Sequence, residues 1–108
     1  MKRRRSKFGN VPTTVDGIRF ASRAEARYYG RLKLLHCAEQ IFALQFQPRY
    51  NLVVSGVKVC TYVADFCFIE NRKSVAIDVK GVETAVFKIK AKLFRALYPH
   101  VELRVVKA

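Results

Sequence analysis

Residues 62–81 read YVADFCFIENRKSVAIDVKG, and this stretch decides the fold. Two apolar, β-prone runs are joined by the polar segment ENRK, which predicts two antiparallel strands in a hairpin. If the turn is centred on residues 71–72, Asp65 and Asp78 are equally far from it and face each other across the ladder, about 5 Å apart. Two carboxylates at that distance repel each other, so positive charge is expected between them.

A lysine and a divalent cation are the two candidates for that charge. Side chains alternate along a strand, so Asp78 and Lys80 point to the same face of the second run. Paired carboxylates, a backbone carbonyl and water form the hard-oxygen environment that Mg²⁺ and Mn²⁺ prefer. The pairing therefore predicts a metal between Asp65 and Asp78 and, through the metal, a bound phosphate.

The composition predicts a folded domain that binds a polyanion. The chain has 108 residues, 51% of them hydrophobic, which suits one core and is too short for two. With 21 Lys and Arg against 8 Asp and Glu, the formal net charge is +13, and nucleic acid is the commonest partner of such a charge. No apolar run approaches the roughly 20 residues that span a bilayer, and no apolar signal segment follows the basic start, so we expect a cytoplasmic protein with no membrane partner.

The first part of the chain predicts a flexible basic arm over residues 1–10, followed by a single domain over residues 11–108. Asp16-Gly17 predicts a hairpin near residues 11–21, because glycine tolerates the positive φ of a type I′ turn. Ser22 and Glu25 have the spacing of a capping box and open a long helix. Its core face is expected to contain Ala24, Tyr28, Leu32 and Leu35.

Three strands, a helix and a last strand are expected after the first helix. The strands cover residues 41–54, interrupted at Gln47-Pro48, then residues 58–69 and 74–80. The second helix ends at Pro99, and residues 101–106 form the last strand. The core face of the second helix is expected to contain Val86, Ile89, Leu93 and Leu97. The odd set of cysteines, Cys37, Cys60 and Cys67, is interpreted as small buried side chains, and His36 and His100 as structural.

The carboxylate motifs resemble those of the PD-(D/E)XK nuclease superfamily. Ala64-Asp65 takes the place of Pro-Asp, and Asp78-Val79-Lys80 supplies the (D/E)-X-K. The element order is similar to that superfamily's αβββαβ core, an α/β, restriction-endonuclease-like fold with a mixed central sheet flanked by helices, here with an added N-terminal β-hairpin. The segments SRAEARYY, LQ.QP, YVADF and DVKG look like those of short phage-encoded endonucleases of this superfamily, which are related in architecture to Holliday-junction resolvases.

The resemblance implies Mg²⁺-dependent hydrolysis of DNA phosphodiester bonds, with Mn²⁺ able to substitute, by a phage or prophage endonuclease selective for branched or junction DNA. Asp65, Asp78, the Val79 carbonyl and Glu25 would hold the metal, directly or through water. Lys80 would orient or help to deprotonate the attacking water, or stabilise the transition state, and these roles stay open. A nuclease with one active site also implies a homodimer if both strands are cut.

Basic side chains are candidates for contacts to DNA phosphates, which position DNA without reading its sequence. They form a stripe on each helix and a cluster in the arm: Arg23, Arg27 and Arg31; Lys88, Lys92 and Arg95; Arg3, Arg4 and Arg5. The same residues can also be ordinary solvated charges.

Two other functions fit the charge. In a non-catalytic basic nucleic-acid-binding module, the aspartates would only pair with Lys80 and nearby arginines. A ribosome-associated RNA binder also fits, but it gives no reason for facing aspartates. Glu25 can likewise be no more than the acid of the capping box, and Gln47 either reaches the site or only makes a backbone hydrogen bond.

Overall fold

The computed structural model describes residues 11–108. The expected arm at residues 1–10, with Arg3, Arg4 and Arg5, lies outside the described residues and stays a prediction. In chain order the elements are β1 (Thr13–Val15), β2 (Ile18–Phe20), α1 (Arg23–Cys37), β3 (Phe42–Phe46), β4 (Arg49–Val54), β5 (Val57–Val63), β6 (Phe66–Glu70), β7 (Lys73–Lys80), α2 (Ala85–Leu97) and β8 (Val101–Lys107). Neither described helix is long and apolar enough to cross a bilayer.

A four-stranded mixed sheet, in the order β3-β6-β7-β8, forms the centre of the molecule. β7 is antiparallel to β6 and parallel to β8, so the chain crosses from β7 to β8 through α2. The β1-β2 hairpin packs on α1, and the β4-β5 hairpin packs on α2. The predicted α/β class, with a mixed sheet and two helices, is confirmed.

One hydrophobic core lies on each face of the sheet, and β7 is buried between them. Its residues Val75, Ile77 and Val79 belong to the core that contains Tyr29 and Leu32 of α1. Ala76, from the alternate set, belongs to the core that contains Phe87 and Phe94 of α2. The alternation expected from the sequence is confirmed, and it directs Asp78 and Lys80 towards α2.

The predicted N-terminal hairpin and helix cap are both confirmed. Asp16 and Gly17 have φ values of +53° and +75°, as a type I′ turn requires. The Asp16 carboxylate accepts hydrogen bonds from the Tyr29 hydroxyl at 2.9 Å and from Lys33 Nζ at 2.6 Å, which fasten the hairpin to α1. At the start of α1 the Ser22 hydroxyl accepts the backbone N–H of Glu25 at 3.1 Å.

The prediction of three strands between the helices was wrong, because two of the expected strands are each divided. The first divides at Gln47-Pro48 into β3 and β4, which lie in different sheets, and Gln47 has a φ of +49°. The second divides at residues 64–65, where the chain leaves the β4-β5 hairpin and enters the central sheet. Asp65 therefore lies just before β6 and not within a strand.

The predicted core faces of both helices were partly wrong. In α1 the buried residues are Ala26, Tyr29 and Leu32, while Leu35 is exposed. In α2 the buried residues are Phe87, Ala91 and Phe94, a second set at helical spacing. This second set is the buried one because burying two phenylalanine rings removes more apolar area from water than burying Val86 and Ile89 would.

The prediction of buried cysteines was also wrong. Cys37 is exposed, Cys60 and Cys67 are half-buried, and all three are free thiols. Cys37 ends α1, Cys60 lies on β5 and Cys67 lies on β6.

Candidate active site

The end of the β6-β7 ladder brings Asp65 opposite Asp78. The register runs from Glu70↔Lys73 to Phe66↔Ile77 without a shift, so the next pair along is Asp65 and Asp78. The backbone N–H of Asp65 still donates to the Ile77 carbonyl at 2.9 Å, although β6 itself begins one residue later. The facing aspartates expected from the sequence are thus brought together by the structure.

Hydrogen bonds fix the orientation of both carboxylates. Asp65 Oδ2 accepts the backbone N–H of Val79 at 2.6 Å. Asp78 is 2% exposed, and its Oδ2 accepts the hydroxyl of Tyr62 at 2.5 Å. The Nζ of Lys80 lies 3.4 Å from Asp78 Oδ1 and 4.6 Å from the centre of the Phe87 ring. Asp78 therefore has a phenol on one oxygen and an ammonium group near the other.

The site concentrates negative charge in a place with little water. Burial raises the pKa of Asp65 well above its usual range, and the charges of Glu25 and Asp78 raise it further, against the opposing hydrogen bond from Val79. Burial also raises the pKa of Glu25, with a further contribution from Asp78, while the Ala21 backbone and Lys80 oppose the shift. Three carboxylates and one lysine thus form one electrostatic unit: Glu25, Asp65, Asp78 and Lys80. Glu25 also occupies the acidic position of the helix cap at the start of α1.

The donor set fits a hard divalent cation that takes few protein ligands. Among residues 11–108, no group of three or more His, Cys, Asp or Glu side chains is arranged to hold a metal ion. Mg²⁺ commonly binds through one or two carboxylates and completes its shell with water and substrate phosphate oxygens. The two facing carboxylates Asp65 and Asp78 have this chemistry, and their unfavourable burial is the kind of cost that a bound cation removes.

A cleft of about 250 Å³ opens beside Asp78 and Lys80. One wall is β5, with Thr61 and Val63, and the other is the first two turns of α2, with Val86 and Lys90. Asp65 and Glu25 are not among the lining residues, although both interact electrostatically with Asp78. The cleft therefore gives a ligand access to Asp78 and Lys80.

The two basic stripes lie outside this cleft. Lys88, Lys92 and Arg95 line a larger groove of about 380 Å³ between α2 and Val105 of β8. Arg27 and Arg31, together with Lys107, line a groove of about 220 Å³ beside Val79, on the α1 side of the sheet. The larger volume of the first groove is not a reason to place chemistry there, because its only lining acid is Glu83. Arg23 is exposed at the first turn of α1.

Two residues of the candidate site were not predicted from the sequence. Tyr62 is a buried core aromatic, and its hydroxyl also donates a hydrogen bond to Asp78. Nothing in the sequence indicates that contact, because β5 and β7 belong to different sheets. Lys90 lines the cleft, and the signal that could have found it is the alternation of lysines at positions 88, 90 and 92, once the core face of α2 is placed correctly.

The remaining polar candidates have structural positions. The backbone N–H of Gln47 donates to the Asp65 carbonyl at 3.0 Å, which helps to set the chain direction before β6. His36 is exposed near the end of α1, and exposed His100 lies 5.9 Å from the Tyr98 ring, measured between ring centres. Glu70 and Glu102 are partly exposed, and each pairs with Arg104.

The sequence is similar to a known protein family. The model of a protein family described as "Protein of unknown function (DUF1064)" matches residues 5–108. No curated protein and no solved structure shows a significant match.

Proposed function

The chain belongs to the DUF1064 family, whose function is unknown, and we propose that it is a metal-dependent endonuclease that hydrolyses DNA phosphodiester bonds. One observation carries the proposal: half-buried Asp65 faces buried Asp78, which lines an open cleft beside Lys80. Like charges held together in a low-dielectric place destabilise a fold, so the raised pKa of Asp65 next to the Asp78 carboxylate points to function.

The architecture supports a restriction-endonuclease-like core as part of the same proposal. The two helices and the strands of the central sheet follow one another as α1, β3, β6, β7, α2 and β8, which is the order αβββαβ. The β4-β5 hairpin is then an insertion between the first and second strands of that core. After the insertion, Asp65 lies immediately before β6 and Asp78 lies on β7.

The chain's own groups divide the work of hydrolysis. When bound, Mg²⁺ supplies Lewis-acid chemistry, acidifying a water molecule and neutralising charge on the phosphate. Asp65 and Asp78 would hold it, with the Val79 carbonyl and Glu25 as further oxygen donors. The Tyr62 hydroxyl and the Val79 N–H keep the two carboxylates in fixed orientations. Lys80 would orient or help to deprotonate the attacking water, or stabilise the charge that develops on the reacting phosphate.

The proposal extends to substrate, assembly and setting. The net charge of +13 suits a DNA partner, and the branched DNA that the sequence resemblance implies is the proposed preferred form. A homodimer would supply a second site for the opposite strand, and sedimentation velocity with and without DNA tests it. The protein would act in the cytoplasm of a cell that carries the phage or prophage.

Cleavage assays on two DNAs test the activity directly. End-labelled four-way junction and matching linear duplex are incubated with the protein in Mg²⁺, in Mn²⁺ or in EDTA. We expect metal-dependent cutting that Asp78→Asn abolishes while DNA affinity is kept or improved. Asp16→Asn is the matched control. It removes the same charge from an exposed carboxylate that pairs with Lys33 and does not line the cleft.

Two results would count against the proposal. If both DNAs are bound tightly but neither is cut in either metal, the protein is a non-catalytic nucleic-acid-binding module. If Asp16→Asn lowers cutting as much as Asp78→Asn does, the loss reports net charge or folding rather than the carboxylate site.

A further inference from the structure

The walls of the cleft carry features that the proposed hydrolysis does not use. Asp78 and Lys80 serve the carboxylate site, but Lys90, Val86 and Val63 line the same cavity and have no part in it. At about 250 Å³ the cavity lies just below the roughly 300–1,000 Å³ of typical small-molecule sites. It therefore suits a ligand of about nucleotide size and is too small for a duplex.

Lys90 is a cation placed to bind an anion. Its Nζ donates only a long hydrogen bond, 3.5 Å, to the Thr61 carbonyl across the cleft. Among the described residues no carboxylate forms a salt bridge with it, whereas Lys80 already pairs with Asp78. A half-buried ammonium group with one weak neutral partner gains most from a phosphate oxygen.

The mouth of the cleft is apolar on both sides. Val86 of α2 is 63% exposed and Val63 of β5 is 40% exposed. Ile89, one turn further along α2, is 68% exposed. In α2 these apolar residues alternate with lysines, so the surface offers apolar area and positive charge at close spacing.

That combination fits one chemical form of DNA. In a duplex the apolar faces of the bases are stacked inside the helix, and only phosphates and groove edges meet a protein. An unpaired nucleotide presents its sugar and a base face as well, and apolar side chains beside unstacked bases are a recurring way of holding such DNA.

We propose that the cleft between β5 and α2 binds one unpaired nucleotide of a DNA strand, with its phosphate on Lys90 and its sugar and base against Val63 and Val86. This site rests on the proposed endonuclease activity. Together they define the substrate class as DNA with unpaired nucleotides at or next to the cut. The charge of α2 favours this occupant over a second copy of the chain, because Lys88, Lys90 and Lys92 of two copies would repel each other.

Binding of a short single strand tests the cleft without any cutting. The probe is a fluorescently labelled thymidine trinucleotide in EDTA, measured by anisotropy, and the variants are Lys90→Ala and Lys58→Ala. Each variant removes one positive charge, but exposed Lys58 on β5 does not line the cleft, whereas Lys90 does. We expect Lys90→Ala to weaken binding about 10-fold and Lys58→Ala to change it little, because a charge-assisted contact is lost in only one of them. Equal weakening by both variants would overturn the proposal.

Cleavage of paired and unpaired substrates tests the substrate class. The DNAs are a linear duplex and the same duplex with a single-stranded flap, and the added variant is Val86→Ser. We expect the flap to be cut faster, with Val86→Ser removing most of that preference. Equal cutting of both DNAs by the unaltered protein would overturn the substrate class and leave the endonuclease standing.

The two assays separate the possible failures. If no DNA is cut but Lys90→Ala still weakens trinucleotide binding selectively, the endonuclease proposal fails and the nucleotide site stands. If Val86→Ser shifts the sedimentation coefficient and leaves trinucleotide affinity unchanged, the apolar rim is an interface between copies, and the nucleotide site is overturned.

Discussion

The hydroxyl of Tyr62 donates a 2.5 Å hydrogen bond to Oδ2 of Asp78, and both side chains are almost completely buried. Tyr62 comes from the β4-β5 hairpin, whereas Asp78 comes from the central sheet. The bond therefore joins the β4-β5 hairpin to the central sheet at the candidate active site. It leaves Oδ1 of Asp78 directed towards Lys80, 3.4 Å away.

Replacing Tyr62 by phenylalanine tests whether this bond positions Asp78 for a metal. Groups that hydrogen-bond a metal ligand typically contribute about 10–100-fold in metal affinity, so we expect Mn²⁺ binding by Tyr62→Phe to weaken by about that factor. The variant should also lose about 1–3 kcal/mol in free energy of unfolding, since a buried carboxylate oxygen loses its donor. Isothermal titration with Mn²⁺ and urea unfolding measure the two effects.

Tyr98→Phe is the control for that measurement. The Tyr98 hydroxyl donates to the Asn51 carbonyl at 3.0 Å rather than to a carboxylate. It should lower stability without changing Mn²⁺ affinity. If Tyr62→Phe lowers stability and leaves Mn²⁺ affinity unchanged as well, the Tyr62–Asp78 bond is purely structural.

The raised pKa of Asp65 predicts how stability depends on pH in EDTA. A carboxyl with a higher pKa in the folded than in the unfolded protein holds its proton more tightly when folded. Its favourable contribution is complete below the unfolded pKa of about 3.9 and is lost as pH rises through the folded pKa. Asp65→Asn keeps an oxygen for the Val79 N–H and carries no charge. The variant should therefore be more stable than the unaltered protein at pH 8 and equal to it near pH 3.5, by urea unfolding.

Metal should reverse this order of stability. Binding to the folded state raises the melting temperature, and the cation competes with the proton on Asp65. We expect Mn²⁺ to raise the melting temperature of the unaltered protein more at pH 8 than at pH 5.5, and to affect Asp65→Asn little at either pH. An equal shift in both proteins would mean that Asp65 is not a ligand.

The facing aspartates could be predicted from the sequence because their placement depends on local rules. The ENRK turn fixes the register of β6 and β7, and strand alternation then fixes which side chains share a face. Asp65 lies one residue before β6, yet the count from the turn still holds, since the ladder has no bulge between Phe66 and Glu70. The same locality explains why the Asp16-Gly17 turn and the Ser22 cap were predicted correctly.

The parts that could not be predicted depend on contacts between distant segments. The division of residues 58–69 into β5 and β6 is decided by which sheet each half joins, and both halves are equally β-prone. The core face of α2 has two apolar sets at helical spacing, and only packing against the sheet and β4 selects Phe87 and Phe94. Because the wrong set was assigned to the core, Val86 and Lys90 could not be placed in the cleft.

Two glycines give opposite predictions for the same substitution. Gly30 lies inside α1 with nothing within 4 Å of an added Cβ, so Gly30→Ala should stabilise the protein by about 0.5–1 kcal/mol. Gly17 also has open space, but its φ is +75°, so Gly17→Ala should destabilise by about 1–2 kcal/mol. Thermal unfolding of the pair measures both. A stabilised Gly17→Ala would mean that the turn is not of type I′.

Glu25 is both the acid of a helix cap and a proposed ligand of the candidate active site, and two substitutions separate these roles. Ser22→Ala removes the hydroxyl that accepts the Glu25 N–H, and it should cost about 1 kcal/mol without altering Mn²⁺ affinity. Burial raises the pKa of Glu25, so its charge is unfavourable at neutral pH, and Glu25→Gln should stabilise the metal-free protein at pH 8. If Glu25 serves the metal, the same variant should weaken Mn²⁺ binding about 10-fold by calorimetry. A Glu25→Gln protein that loses stability and keeps its Mn²⁺ affinity would assign Glu25 to the capping box alone.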